Sequence, residues 1–183
     1  MRLYLASALQ RLSVEQRWPI ATGLVSHAED STDHNLPKML WFAVEPMVAE
    51  APGRALDLVV AGKFPILQNY AARRATQADA HGTVVALLAR TADALVQKQL
   101  LDGTLDGIGG GGKQIPAPEG WAAVYETLKS APDQSVVQAA QLLAQRFGDD
   151  AATASMLAAR PKSGWLLAQA IRSNNIPRTD IPA

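Results

Sequence analysis

The chain has 183 residues, 48% of them hydrophobic and 19% charged, with seventeen basic residues balanced by seventeen acidic ones. That length suits one domain or one elongated repeat array, and zero net charge argues against general nucleic-acid binding while leaving little repulsion to oppose association with another chain. With no cysteine, disulfides, thiolate-bound zinc, iron–sulfur clusters, thiol catalysis and c-type haem attachment are excluded within the chain.

Apolar residues recur three and four apart, which is the helical period. Leu3, Ala6, Leu9 and Leu12 form a first stripe. Ser13 and Gln16 have capping-box spacing, but Pro19 falls inside the run that follows. A short turn is therefore expected first, with the main helix from Trp18 to Glu29 and the proline tolerated in its first turn. Asp30 to Asn35 is a polar loop. Pro37 opens a helix carrying Leu36, Leu40, Val44 and Met47, and Met39, Trp41 and Phe42 make it apolar almost all round, which places it in the middle of a packed structure.

Pro52 opens the next helix, with Leu56, Val59 and Val60 and a stop at Gly62, and Pro65 opens another with Ile66, Leu67, Tyr70 and Ala71. Val84, Leu87 and Leu88 share a face. Asp93 caps a helix bearing Val96, Leu100, Leu101 and Leu105. Pro118 starts one with Trp121, Val124, Tyr125 and Leu128. Asp133 caps one with Val136, Ala140, Leu143 and Phe147, ended by Gly148. A weaker pair follows at Ala152–Ala159 and Ser163–Arg172. Leu56 to Val60 is the one strand-like run, and its flanks favour helix.

The expected fold is all-α, a single helical-repeat domain over residues 1–183. Roughly ten helices joined by short connections make antiparallel neighbours, and helix pairs every 35–45 residues suit a HEAT- or armadillo-like α-solenoid. An irregular helical bundle is the alternative. The Gly/Pro-rich stretch from Gly107 to Pro118 is expected as a surface loop dividing two halves. Its Gly107, Gly112 and Lys113 have phosphate-loop spacing, but Gln114 replaces the magnesium-holding Ser or Thr, and Ile115-Pro116-Ala117-Pro118 stands where a helix should begin.

No apolar run approaches the roughly 18–20 residues needed to cross a bilayer, and Gln10 and Arg11 interrupt any secretory core near the N-terminus. Either a cytoplasmic protein or an internal piece of a longer one is expected.

Candidate chemistry is sparse. His27, Glu29, Asp30, Asp33 and His34 supply two imidazoles and three carboxylates within eight positions, enough to ligate a cation, although capping of adjoining helix ends accounts for Asp30 and Asp33 equally well. Glu45 lies inside the most apolar helix, beside Pro46, and a buried carboxylate needs a partner. Arg73 and Arg74, two elements later, are the candidates for a structural ion pair with it, the alternative being a surface-facing Glu45. The tryptophans at 18, 41, 121 and 165 fit core packing; an exposed Trp41 or Trp165 would mark a docking surface instead. No nucleophile–base pair stands out, and Ser163-Gly164 lacks the strand and flanking glycine of a nucleophile elbow.

Several segments resemble the helical middle region of large planctomycete- and verrucomicrobia-type membrane-bound dehydrogenase proteins. In these a sorbosone-dehydrogenase-like β-propeller precedes a HEAT-like region and a cytochrome c domain follows it. The resembling stretches are Leu5 to Leu12, Arg17 to Ile20, His27 to Asp30, Ala71 to Arg74 and Pro116 to Trp121. The strongest are Asp33 to Pro37 and Trp41 to Pro46, and Ile176 to Asp180 resembles the segment ahead of the cytochrome portion. The likeness is patchier after residue 150, near 149–160, as though the chain were shortened there or were a fragment. No propeller and no Cys-x-x-Cys-His is present, so the redox and haem activities of such proteins transfer to no residue here. The resemblance implies a scaffold that holds a propeller dehydrogenase near a c-type cytochrome domain, outside the cytoplasm.

The expectation is thus a non-catalytic scaffold without cofactor, partnered by other protein domains, with neither nucleic acid nor a membrane span. The alternative is a small metal-dependent enzyme or metal-binding module using His27 and His34.

Overall fold

The computed structural model describes residues 1–110 and 114–150. Among them the chain forms nine α-helices and no strand: α1 Arg2–Ala8, α2 Val14–Val25, α3 Leu36–Glu50, α4 Pro52–Ala61, α5 Pro65–Gln77, α6 His81–Leu88, α7 Ala94–Ile108, α8 Trp121–Leu128 and α9 Gln134–Arg146. Short 3₁₀ turns follow α1 at Leu9–Arg11 and α2 at Ala28–Thr32. The helices expected at Ala152–Ala159 and Ser163–Arg172 lie outside the described residues, as do Gly112 and Lys113 of the glycine run.

The helix starts follow local chemistry. Asp33 Oδ1 accepts from the N–H groups of Asn35 and Leu36, both at 2.8 Å, and Pro37 stands in the first turn of α3, where its missing N–H costs nothing. Pro52 and Pro65 open α4 and α5 in the same way. Asp93 accepts from Leu95 and Val96 at the start of α7, and Asp133 from Ser135 at the start of α9. At its other end α9 closes in a Schellman arrangement. Gly148 takes φ 75°, Gly148 N–H bonds the Gln145 carbonyl at 3.1 Å and Asp149 N–H the Ala144 carbonyl at 3.0 Å.

Four boundaries differ from the sequence expectation. α2 begins at Val14, not Trp18, because Gln16 Oε1 reaches back to Ser13 N–H at 3.2 Å and fixes the first turn there; Pro19 is then interior, and α2 stops at Val25, short of Glu29. Gly62 does end α4 as expected, but with φ −79°, so its lack of a side chain serves a close approach: a Cβ there would stand 2.8 Å from the Val25 carbonyl oxygen. α8 starts at Trp121, after the left-handed Gly120, and not at Pro118. α7 runs on through Ile108, so Gly107 belongs to the helix and not to the loop.

Packing follows two files of helices. α1, α3, α5, α7 and α9 touch in succession, α2, α4, α6 and α8 do the same, and α1 to α7 also pack against their sequence neighbours, as α8 does against α9. One cluster of buried apolar side chains runs from Ala6 to Phe147, and burying such side chains is the main term favouring folding. The tightest seam joins α5 to α7. A Cβ on Gly103 would overlap the Asn69 carbonyl and meet Ala72 Cβ at 3.0 Å; one on Gly107 would meet the Arg73 carbonyl oxygen at 2.7 Å. The two glycines, four residues apart on one helical face, therefore let the two backbones touch.

Arg17, only 9% exposed, ties the first three helices together. Its guanidinium donates to the carbonyls of Leu12 at 3.1 Å, Gln10 at 3.3 Å and Ala43 at 2.9 Å. At the far end Trp121 meets Phe147 edge-on, 4.9 Å between ring centres, with His81 and Tyr125 alongside. Between α7 and α8 the connection is held to α9: Ile115 N–H bonds the Arg146 carbonyl at 3.0 Å, and the Arg146 guanidinium donates to the Gly109 carbonyl.

Candidate functional site: a basic, aromatic groove between α3 and α5

On α3, Lys38, Trp41, Phe42 and Glu45 follow i, i+3, i+4, i+7 spacing and so share one face. On α5, Tyr70, Arg73, Arg74 and Gln77 do the same. Because α3 and α5 pack side by side, the two faces meet as the walls of an open groove of about 460 Å³, lined by these eight residues.

Three cations and one carboxylate line it. Arg74 Nε donates to Glu45 Oε1 across the groove, both side chains remaining about a third exposed. Arg73 lies beside them without joining the pair. Lys38 and Arg73 are exposed and have no ion-pair partner among the described residues. The ring of Trp41 is half-buried and meets Tyr70 edge-on, 5.3 Å between centres at 62°. Of the three rings in the groove Phe42 is the freest, 53% exposed. α3 is accordingly central in the packing but not apolar all round: Lys38, Phe42 and Glu45 look outward while Leu40, Ala43, Val44 and Met47 are buried.

Sequence reasoning singled out Trp41, Glu45, Arg73 and Arg74, and the structure brings them to this one place. It missed Phe42, Lys38 and Tyr70. The helical spacing of Lys38, Trp41, Phe42 and Glu45 could have pointed to them, had the apolar stripe not drawn attention to the buried side of the same helix. Trp165 lies outside the described residues. Trp18 and Trp121 are buried, Trp18 beneath the guanidinium of Arg54 at 4.0 Å.

The polar turn beyond α2 divides its groups among separate tasks. Arg2 grips Asp30, with a second contact of 2.8 Å, and reaches Glu29 at 3.3 Å, while His27 Nδ1 lies 3.0 Å from Glu29. Hydrogen bonding from Arg2 holds the Asp30 carboxyl below its ordinary range, and the Leu36 and Asn35 amides do the same for Asp33. Glu29 is lowered too, first by its own backbone N–H and then by His27. His34 faces a different hollow, of about 300 Å³, which adjoins the groove at Lys38. Among the described residues no three His, Asp or Glu side chains gather as a metal site, so His27, Asp30, Asp33 and His34 do not converge. No described helix is long and apolar enough to cross a membrane.

Compared with protein-family models, curated proteins and solved structures, the chain matches none. Nothing in those comparisons links it to the propeller–cytochrome proteins.

Proposed function

We propose that the chain is a non-catalytic, HEAT- or armadillo-like helical-repeat scaffold that docks a segment of a partner protein in the α3–α5 groove. The observation that carries this reading is the meeting of two helical stripes that place three aromatic rings and three cations on one open surface. Aromatic and arginine side chains are the groups that supply most binding energy at protein interfaces. The repeat reading draws on the two files of helices, in which the packing joins helices one or two positions apart in the chain, as stacked units touch only their neighbours.

The strongest resembling stretches, Asp33 to Pro37 and Trp41 to Pro46, span the α3 wall of this groove. In that extension of the reading the partner domains are a propeller dehydrogenase and a c-type cytochrome domain, outside the cytoplasm. Sequencing the DNA on either side of the frame tests the extension: a propeller and a Cys-x-x-Cys-His segment nearby support it, and unrelated neighbours count against it.

The docking reading is tested by selecting a random peptide library on the folded protein and on its Phe42→Ser variant. Phe42 is 53% exposed, so the substitution leaves the core untouched. Peptides that bind the parent and lose binding to the variant support the reading. A parent that enriches nothing, or enriches peptides indifferent to Phe42→Ser, overturns it.

A further inference from the structure

We infer that the segment taken by the α3–α5 groove is acidic, with one or more carboxylates set against Lys38 and Arg73 and an apolar side chain set against Phe42. The inference rests on the docking reading above and adds the chemistry of the partner.

Charge complementarity carries it. Elsewhere five described cations have a carboxylate partner, Arg2 with Asp30, Arg54 with Glu15, Arg90 with Asp57, Lys98 with Asp102 and Lys129 with Glu126, while Arg11 and Lys63 are exposed without an ion pair among the described residues. What distinguishes the groove is three cations gathered against one carboxylate: Glu45 answers only Arg74, leaving Lys38 and Arg73 unmatched among the described residues. The Glu45–Arg74 pair also restrains Arg74 between the walls, so an incoming carboxylate meets the two cations that remain. Trp41 already packs edge-on against Tyr70, and a side chain placed before binding costs less to order.

The dimensions favour a short motif. A stripe from i to i+7 is about 10 Å long at 1.5 Å per residue, a length that an extended peptide spans in about three residues. A single-stranded nucleic acid is the other polyanion that aromatic, basic surfaces hold, but it needs a run of cations along its backbone and successive stacking rings. This groove offers two unmatched cations and places a carboxylate in its wall.

The test uses the full chain. The random library is selected on the parent, on Phe42→Ser and on the double variant Lys38→Glu with Arg73→Glu; both replaced side chains are exposed, and circular dichroism checks that helix content is kept. A labelled oligothymidylate is titrated in parallel. The parent pool should be rich in Asp and Glu beside an apolar residue. Representative peptides should weaken about two- to fivefold when Glu is replaced by Gln, and weaken when salt is raised, and the double variant should select basic residues instead. A pool that depends on Phe42 but is neutral or basic sinks the acidic preference while leaving docking intact. A pool indifferent to Phe42→Ser sinks both. Oligothymidylate binding as tight as the best peptide, and lost in the double variant, also overturns the inference.

Discussion

Arg74 of α5 donates its Nε–H to Oε1 of Glu45 in α3, so one ion pair bridges two helices that are neighbours in space but not in sequence. Both side chains keep about a third of their exposure, 31% and 39%, and water therefore screens the attraction. An exposed pair of this kind contributes about 0.2–1 kcal/mol. Glu45→Gln is expected to lower unfolding free energy by less than about 1 kcal/mol, and a double-mutant cycle with Arg74→Met should return a coupling in the same range. A coupling of zero within error would mean that the pair adds nothing measurable to stability.

The α5–α7 seam is predicted to tolerate no side chain at its two glycines. Gly103→Ala would drive a methyl group into the Asn69 carbonyl, and Gly107→Ala into the Arg73 carbonyl. Backbone atoms cannot swing aside, so each substitution should cost about 1–3 kcal/mol or more. Gly23→Ala is the opposing control, since it is exposed within α2 with nothing inside 4 Å of its Cβ position. Higher helix propensity should stabilise that variant by about 0.5–1 kcal/mol. Urea unfolding of the three variants decides the matter: an equal effect at positions 23 and 103 contradicts the close seam.

Arg17→Met should destabilise more than an ordinary surface change. Methionine fills similar space but leaves the Leu12, Gln10 and Ala43 carbonyls without their donor. Losing hydrogen bonds from a buried charged group costs about 1–3 kcal/mol. Arg17→Lys should recover only part of this, because one ammonium lacks the planar fork that serves three acceptors. If Met and Lys variants unfold at the parent's urea midpoint, the guanidinium is not holding α1, α2 and α3 together.

Acid should weaken the fold through a definable set of carboxylates. Asp30 is lowered by Arg2, Asp33 by the Leu36 and Asn35 amides, and Asp133 by the hydroxyl and then the amide of Ser135. A carboxyl whose folded value lies below its unfolded one takes up a proton more readily in the unfolded chain. Its contribution is thus complete above the ordinary value of about 4 and is lost as pH falls below it. Thermal midpoints should be flat from pH 7 to about pH 5 and decline below about pH 4. Asp33→Asn and Asp133→Asn should each flatten that decline; an unchanged slope in both variants would assign it to other groups.

Single Asp and Pro residues made several helix ends legible in advance. Asp93 and Asp133 each needed only their own chain neighbours to act as caps, and Pro37, Pro52 and Pro65 needed only their missing N–H. Asp79 shows where such reading fails. It ends α5 with φ 57°, in the role usually given to glycine, and the Ala80 N–H to Ala75 carbonyl bond of 2.8 Å completes that turn. Residue type alone did not mark it. Pro19 misled for a related reason: the strength of the Ser13–Gln16 turn outweighed the preference of proline for a helix start.

By itself the sequence determined that the chain is helical, where most helices open, and which residue types exist to do chemistry, because period, capping and composition act over a few residues. The tertiary structure decided the rest. Gly103 and Gly107 are ordinary weak helix residues until α5 lies against them, and Lys38, Phe42, Tyr70 and Arg73 form a surface only because α3 and α5 stand side by side. Those pairings reach across about thirty residues of chain. They are fixed by how whole helix faces fit together, which no local pattern encodes.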